Sequence, residues 1–217
     1  MAIEPSRAVA VAGATGLVGK AILEGLLSDS SVAAVHVVGR RPLTTQHPKL
    51  TSHVVDFTAL KQLPPVDEVY LAMGTTIRAA GSQAAFRAID FDASLAVAHA
   101  TVAAGARRCG LVSAMGANTG SAVFYNRVKG ELEDALTELS FAGLVIARPS
   151  LLVGERQLLG QPERRGEKLG LAVSRLLGPL IPSNYKPVAA ANVAHALLIR
   201  VPAATGRVIV LSGAMQS

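Results

Sequence analysis

The sequence predicts an α/β fold: a doubly wound, Rossmann-type parallel sheet with helices on both faces and a small C-terminal substrate lobe. Three observations carry this. Short apolar runs alternate with longer helical stretches along the chain. The runs are rich in valine and show little polar alternation, as expected of parallel strands buried on both faces. The first run ends in glycines spaced three apart and passes directly into a helix. At 217 residues the chain fits one domain over 1–217, with 148–187 expected as a substrate lid or lobe inserted in it.

Strand candidates are Ala8–Ala12, Val32–Val38, Ser52–Val55, Glu68–Ala72, Arg108–Ser113, Leu144–Ala147 and Arg207–Leu211. Helices are expected over Gly16–Leu27, Gln83–Ala104, Ala122–Leu139, Glu167–Leu177 and Ala189–Arg200. In the third, Lys129, Glu131, Glu133, Asp134 and Glu138 mark one side, while Val128, Leu132, Ala135, Leu136 and Leu139 fill the other. The stretch Arg148–Pro187, rich in Pro, Gly and Arg, breaks the rhythm. It is expected over the carboxyl edge of the sheet, where ligands bind in such folds.

Half the residues are hydrophobic but only 4% are aromatic, and tryptophan is absent. The core must therefore be built from Ala, Val, Leu and Ile. The net charge of +6 is mostly scattered, and its denser clusters lack the interleaved aromatics of a nucleic-acid surface. No nucleic-acid partner is expected. The apolar run after Arg7 resembles a leader, yet it spans only Ala8 to Gly19, too short for a bilayer. No membrane partner is expected, and a monomer or homodimer is. A single cysteine, Cys109, suits a reducing compartment, and a soluble cytoplasmic protein is the expectation. The five histidines show no metal-ligand spacing, so no metal site is expected; His99 and His195 are read as core or interface residues. Cys109 is expected to be buried, and Phe86, Phe91 and Phe124 to pack.

The chemistry begins at Gly13-Ala14-Thr15-Gly16-Leu17-Val18-Gly19. Gly13 permits a tight turn, Gly16 lets backbone approach a pyrophosphate, and Gly19 lets the helix pack closely on the sheet. The helix N-terminus offers unpaired N–H groups to the anion. At the next strand end, where NAD-preferring proteins carry an acid, stand Arg40 and Arg41. Guanidinium groups pair well with a 2′-phosphate, so NADP(H) is expected in preference to NAD(H). Asp56, followed by Phe57, could accept from the adenine amino group or cap a short helix. The Met73-Gly74-Thr75 turn should face the cofactor ribose, with Gly74 allowing close approach.

Tyr125 and Lys129 lie four apart on one helix face, and Ser113 closes the preceding strand. Carbonyl reduction needs a proton donor at oxygen. A phenol with an ordinary pKa of about 10 is a reluctant acid that a neighbouring ammonium improves. Lys129 would supply that charge and bind the nicotinamide ribose, while Ser113 would hold the substrate oxygen.

These residues resemble the short-chain dehydrogenase/reductases, in the atypical or extended branch with G-x-x-G-x-x-G. More closely, Val38–Leu43, Val55–Phe57, Met73–Thr76, Leu111–Ala117, Tyr125–Glu131 and Arg148–Leu152 resemble the Tat-interactive-protein-like oxidoreductases. The resemblance implies NADP(H) binding, Ser113, Tyr125 and Lys129 at the catalytic positions, and Arg148 and Pro149 passing near the nicotinamide. Two departures stand out. Asp90 lies nearest the place where many members carry a relay asparagine, and the substrate lobe is short for a nucleotide-sugar. The expected function is an NADP(H)-dependent oxidoreductase of a small carbonyl or alcohol, with Tyr125 as general acid/base. The alternative is a non-catalytic NADP(H) sensor that binds a partner protein.

Overall fold

The computed structural model describes residues 7–153 and 182–216. The strands are β1 (Arg7–Ala12), β2 (Val32–Gly39), β3 (Leu50–Val54), β4 (Glu68–Leu71), β5 (Arg108–Val112), β6 (Gly143–Arg148), β7 (Leu152–Val153), β8 (Val188–Ala189) and β9 (Gly206–Leu211). Seven of them form one parallel sheet in the order β3-β2-β1-β4-β5-β6-β9. All seven strands expected from the sequence are present. The order reverses between β1 and β4, and this reversal opens a crevice at the carboxyl ends of those strands.

Alternation along β1 shows how the two faces are divided. Val9 and Val11 join one core cluster with Ile22 and Leu26 of α1 (Leu17–Ser28) and Val193 and Leu197 of α6 (Ala190–Arg200). Ala10 and Ala12 join the other, with Val97 of α4 (Ala93–Ala103) and Leu132 and Leu136 of α5 (Phe124–Thr137). Helices thus cover both faces, and the core is aliphatic as the composition requires.

Four features depart from expectation. The long central helix is not continuous: α3 (Gln83–Arg87) runs through a π-helical turn (Ala88–Asp92) into α4. A four-residue α2 (Ile77–Ala80), capped by the Thr76 hydroxyl, precedes it. His99 and His195, read as core or interface residues, are exposed, which removes the core reading and leaves the interface one. On α5 the charged side is not all solvent-facing, since Lys129 and Glu133 are buried. Cys109 is fully buried, as expected.

Most of the expected lobe over 148–187, with its helix at Glu167–Leu177, lies outside the described residues. Its two flanks are joined: β7 and β8 pair in parallel, Leu152 with Val188 and Val153 with Ala189.

Candidate functional site

The glycine turn is held by backbone contacts that leave no room for side chains. Gly13 has φ +88°, and a Cβ there would come within 2.5 Å of the Ala72 carbonyl carbon at the end of β4. A Cβ on Gly19 would lie 2.1 Å from the Gly13 carbonyl oxygen, so α1 starts hard against the turn. The Gly16 N–H donates to the Gly13 carbonyl at 3.0 Å. Gly16 is also the N-cap of α1, where no side chain caps the first turn and no acid occupies it. An uncapped helix end carries unpaired donors and a favourable dipole for an anion.

A cleft of about 550 Å³ opens over this turn. It is lined by Gly13–Gly16, by Val37–Arg41 and Leu43 after β2, by Val55–Thr58 after β3, and by Ala72–Gly74 after β4. Ala88, Ile89 and Ala93 of the π turn and α4 complete it. Of the predicted cofactor contacts, the structure brings Gly13, Thr15, Gly16, Arg40, Arg41, Asp56, Phe57, Met73 and Gly74 to this one wall. Leu17, Val18 and Gly19 form the helix start behind it. Arg40 and Arg41 are both exposed at its rim. Asp56 Oδ1 accepts from the Thr58 N–H at 2.9 Å and the Thr58 hydroxyl at 2.8 Å, closing a turn rather than a helix. These two bonds hold the Asp56 carboxyl below the usual carboxylate range.

Behind Gly74, and outside the residues that line the cleft, α5 faces the π turn. Lys129 Nζ lies 2.7 Å from Asp90 Oδ1, and the two residues are only 3% and 1% exposed. Asp90 Oδ2 accepts from the Thr75 N–H at 2.9 Å, so Thr75 serves the carboxylate. Burial alone would lower the Lys129 pKa, but the Asp90 charge, with Tyr125 and Glu133 adding to it, raises it instead. Lys129 therefore stays cationic. Tyr125, one helical turn before it, is half-buried, with its ring 5.4 Å from the ring of Phe86. Phe86 packs fully buried beneath it, and Arg87 ties α3 to α5 through an ion pair with Glu131.

Ser113 is buried and bonds a different carboxylate. Its hydroxyl donates to Glu133 Oε1 at 2.5 Å. The same carboxylate takes Arg148 at 2.5 Å and 3.0 Å, and Arg207 at 3.3 Å. Hydrogen bonding to Glu133 outweighs burial and raises the Arg148 pKa. The Arg148 guanidinium is thus committed to α5, and neither it nor Pro149 lines the cleft. Glu133 is the residue that sequence reasoning missed. It was counted with the charged side of α5, although it stands four residues beyond Lys129 and eight beyond Tyr125, on the same face. Among the described residues, no cluster of ligands that could hold a metal ion is found.

No family model matches the chain. It is 35% identical over 164 residues to the FMP52 protein of Coccidioides immitis, covering 68% of this chain and 67% of that one. It is 34% identical over 159 residues to the HTATIP2 protein of Rattus norvegicus, covering 70% and 65% respectively. Among solved structures, the WbmH enzyme of Bordetella bronchiseptica, in complex with NAD+, superposes with a TM-score of 0.70 at 19% identity. That alignment covers 95% of this chain and 76% of the other, and it confirms the Rossmann-type fold. The expectation of a cytoplasmic protein is corrected by the first comparison, since the FMP52 relatives are named mitochondrial. A lone buried cysteine asks only for a reducing compartment and does not choose among them.

Glu133→Gln removes the charge that gathers Ser113, Arg148 and Arg207. It is expected to cost about 2 kcal/mol of folding stability, read as a lower urea midpoint at unchanged slope. An unchanged midpoint would contradict the arrangement.

Proposed function

We propose, since this chain belongs to the family of the FMP52 and HTATIP2 proteins within the atypical short-chain dehydrogenase/reductases, that it is an NADP(H)-dependent oxidoreductase. Its substrate would be a small carbonyl or alcohol. The observation that carries this reading is a buried cation, Lys129, one helical turn from Tyr125 and packed behind Gly74, which lines the cleft that also opens over the uncapped glycine turn.

The residues present fit a dinucleotide. The turn at Gly13–Gly16 leaves the α1 N–H groups open to the pyrophosphate. Arg40 and Arg41 stand at the rim where a 2′-phosphate would meet guanidinium groups. Asp56 and Phe57 would meet the adenine end, and Gly74, with Lys129 packed behind it, the nicotinamide end. Thr75, through Asp90, supports the second of these. Bound there, the dinucleotide would supply or accept the hydride. Tyr125 would hold the proton at the substrate oxygen and pass it as the carbon changes oxidation state. Lys129, kept cationic in a buried site, would favour the phenolate and so make Tyr125 a better acid and base. Ser113 gives its own proton to Glu133 and keeps lone pairs for the substrate, so it would meet the hydroxyl of an alcohol as an acceptor.

Two variants test the reading. Tyr125→Phe should lower turnover of small ketones and alcohols by about 10²–10⁴-fold while NADPH affinity, followed by its fluorescence, stays unchanged. Retained turnover would sink the assignment. NADPH binding by the unaltered protein with no turnover across such a panel would favour the sensor. Arg40→Ala should weaken NADPH by about tenfold or more and leave NADH nearly untouched, and equal losses would refute the preference for NADP(H).

A further inference from the structure

The edge strand β3 is lightly held. Its hydrogen-bonded neighbour in the sheet is β2 alone, and none of its five residues is buried. Such a strand depends on its backbone ladder and on side-chain pairs across the seam. One pair joins the two strands. His36 stands in register with Thr51 and His53 with Val38, so the imidazoles lie diagonally across the seam on one face of the sheet. Both are half-buried, with His36 Nδ1 and His53 Nε2 3.0 Å apart and ring centroids 5.2 Å apart. This bond forms when one of the two facing nitrogens carries hydrogen and fails when both do.

The pair sits just below the cleft. Val38, opposite His53, lines it, and β3 runs directly into Val55–Thr58, the wall that carries Asp56 and Phe57. The Val55 N–H closes the seam by donating to the Gly39 carbonyl at 2.9 Å. Among the described residues, no third His, Cys, Asp or Glu joins the two rings, so the pair is a hydrogen bond and not a chelate.

We propose that His36 and His53 form an acid-sensitive fastener, which holds β3 and the Val55–Thr58 wall to the sheet while at most one ring is charged and releases them when both are. It acts on the protein itself, whether or not the cleft takes a dinucleotide. Burial, and then the charge of His53, lower the His36 pKa below its ordinary 6.5. The unfolded chain therefore takes up this proton at higher pH than the folded one. The stability His36 contributes is complete above 6.5 and is lost as pH falls through its folded value. Neighbouring elements present apolar groups to this face: Ala10 and Ala12 from β1, Val97 and Ala98 from α4, and Val55, Phe57 and Leu60 after β3. Of the charged and titratable groups on these elements, Arg7 pairs with Asp29 and Glu68, while Asp56, Lys61 and His99 are exposed. Ahead of β3, His47 Nδ1 accepts from the Lys49 N–H, and the Lys49 ammonium donates to the Leu27 and Asp29 carbonyls.

The experiment compares the unaltered protein with His53→Gln, whose amide can bond His36 in either protonation state. Amide hydrogen exchange and NMR titration of the His36 ring are followed from about pH 7.5 down to about pH 5.5. Over that range, protection of the β3 and Val55–Thr58 amides should fall about fivefold more in the unaltered protein than in the variant. The β5 amides should change alike in both. His36 should titrate at lower pH in the unaltered protein than in His53→Gln. The reciprocal His36→Gln should show the same indifference to acid as His53→Gln, and it keeps the test open if the first variant folds poorly. Equal losses of protection in unaltered protein and variants, or an extra loss spread evenly through β5, would overturn the fastener.

Discussion

An ammonium and a carboxylate removed from water must face each other, because either alone would be neutralised or expelled. Lys129 and Asp90 meet this condition across the gap between α5 and the π turn, 2.7 Å apart and almost wholly buried. Much of the site follows from that contact. It requires the central helix to widen by a π turn at Ala88–Asp92, and such turns often occur where a helix is bent to serve a site. It draws the Thr75 N–H onto the second carboxylate oxygen and so shapes the backbone after β4. It also keeps a positive charge one helical turn from Tyr125, where an uncompensated lysine would tend to lose its proton.

A second buried carboxylate repeats the logic four residues along α5. Glu133 gathers Ser113 from the end of β5, Arg148 from the end of β6 and Arg207 from β9. One helix face, carrying Tyr125, Lys129 and Glu133, thereby ties β5, β6 and β9 together. The glycine turn is organised without side chains, by the contacts of Gly13 and Gly19 with backbone. The two devices are suited to different ligand parts: bare N–H groups and glycine for an anion, fixed charges for polar hydroxyls.

The large elements were legible in the sequence because their signals are strong. Valine-rich runs such as Val35–Val38 have few other uses, and glycines three apart between strand and helix leave little room for another reading. The wall of the cleft was legible for the same reason, since Gly13, Arg40, Asp56 and Gly74 each sit just beyond a strand end. What hydropathy could not show was the burial of charge. Glu133 reads as solvent-facing on any apolar-moment argument, and only its spacing from Tyr125 and Lys129 places it on the inner face. The π turn was hidden because one extra residue per turn leaves Phe86, Asp90 and Ser94 looking like an ordinary stripe. β7 and β8, two residues each, are too short to show any period. Arg148 is read from resemblance alone, and its charge partner on α5 leaves no mark in the hydropathy pattern.

On the reading proposed above, the buried cation beside Tyr125 marks the nicotinamide end of a dinucleotide cleft. A crystal structure of the protein soaked with NADPH tests it most directly. The expected result is the pyrophosphate over Gly13–Gly16 and the second ribose within hydrogen-bond distance of Lys129 Nζ, with the nicotinamide ring turned toward Tyr125. A dinucleotide bound elsewhere, or one whose second ribose lies out of reach of Lys129, would contradict it.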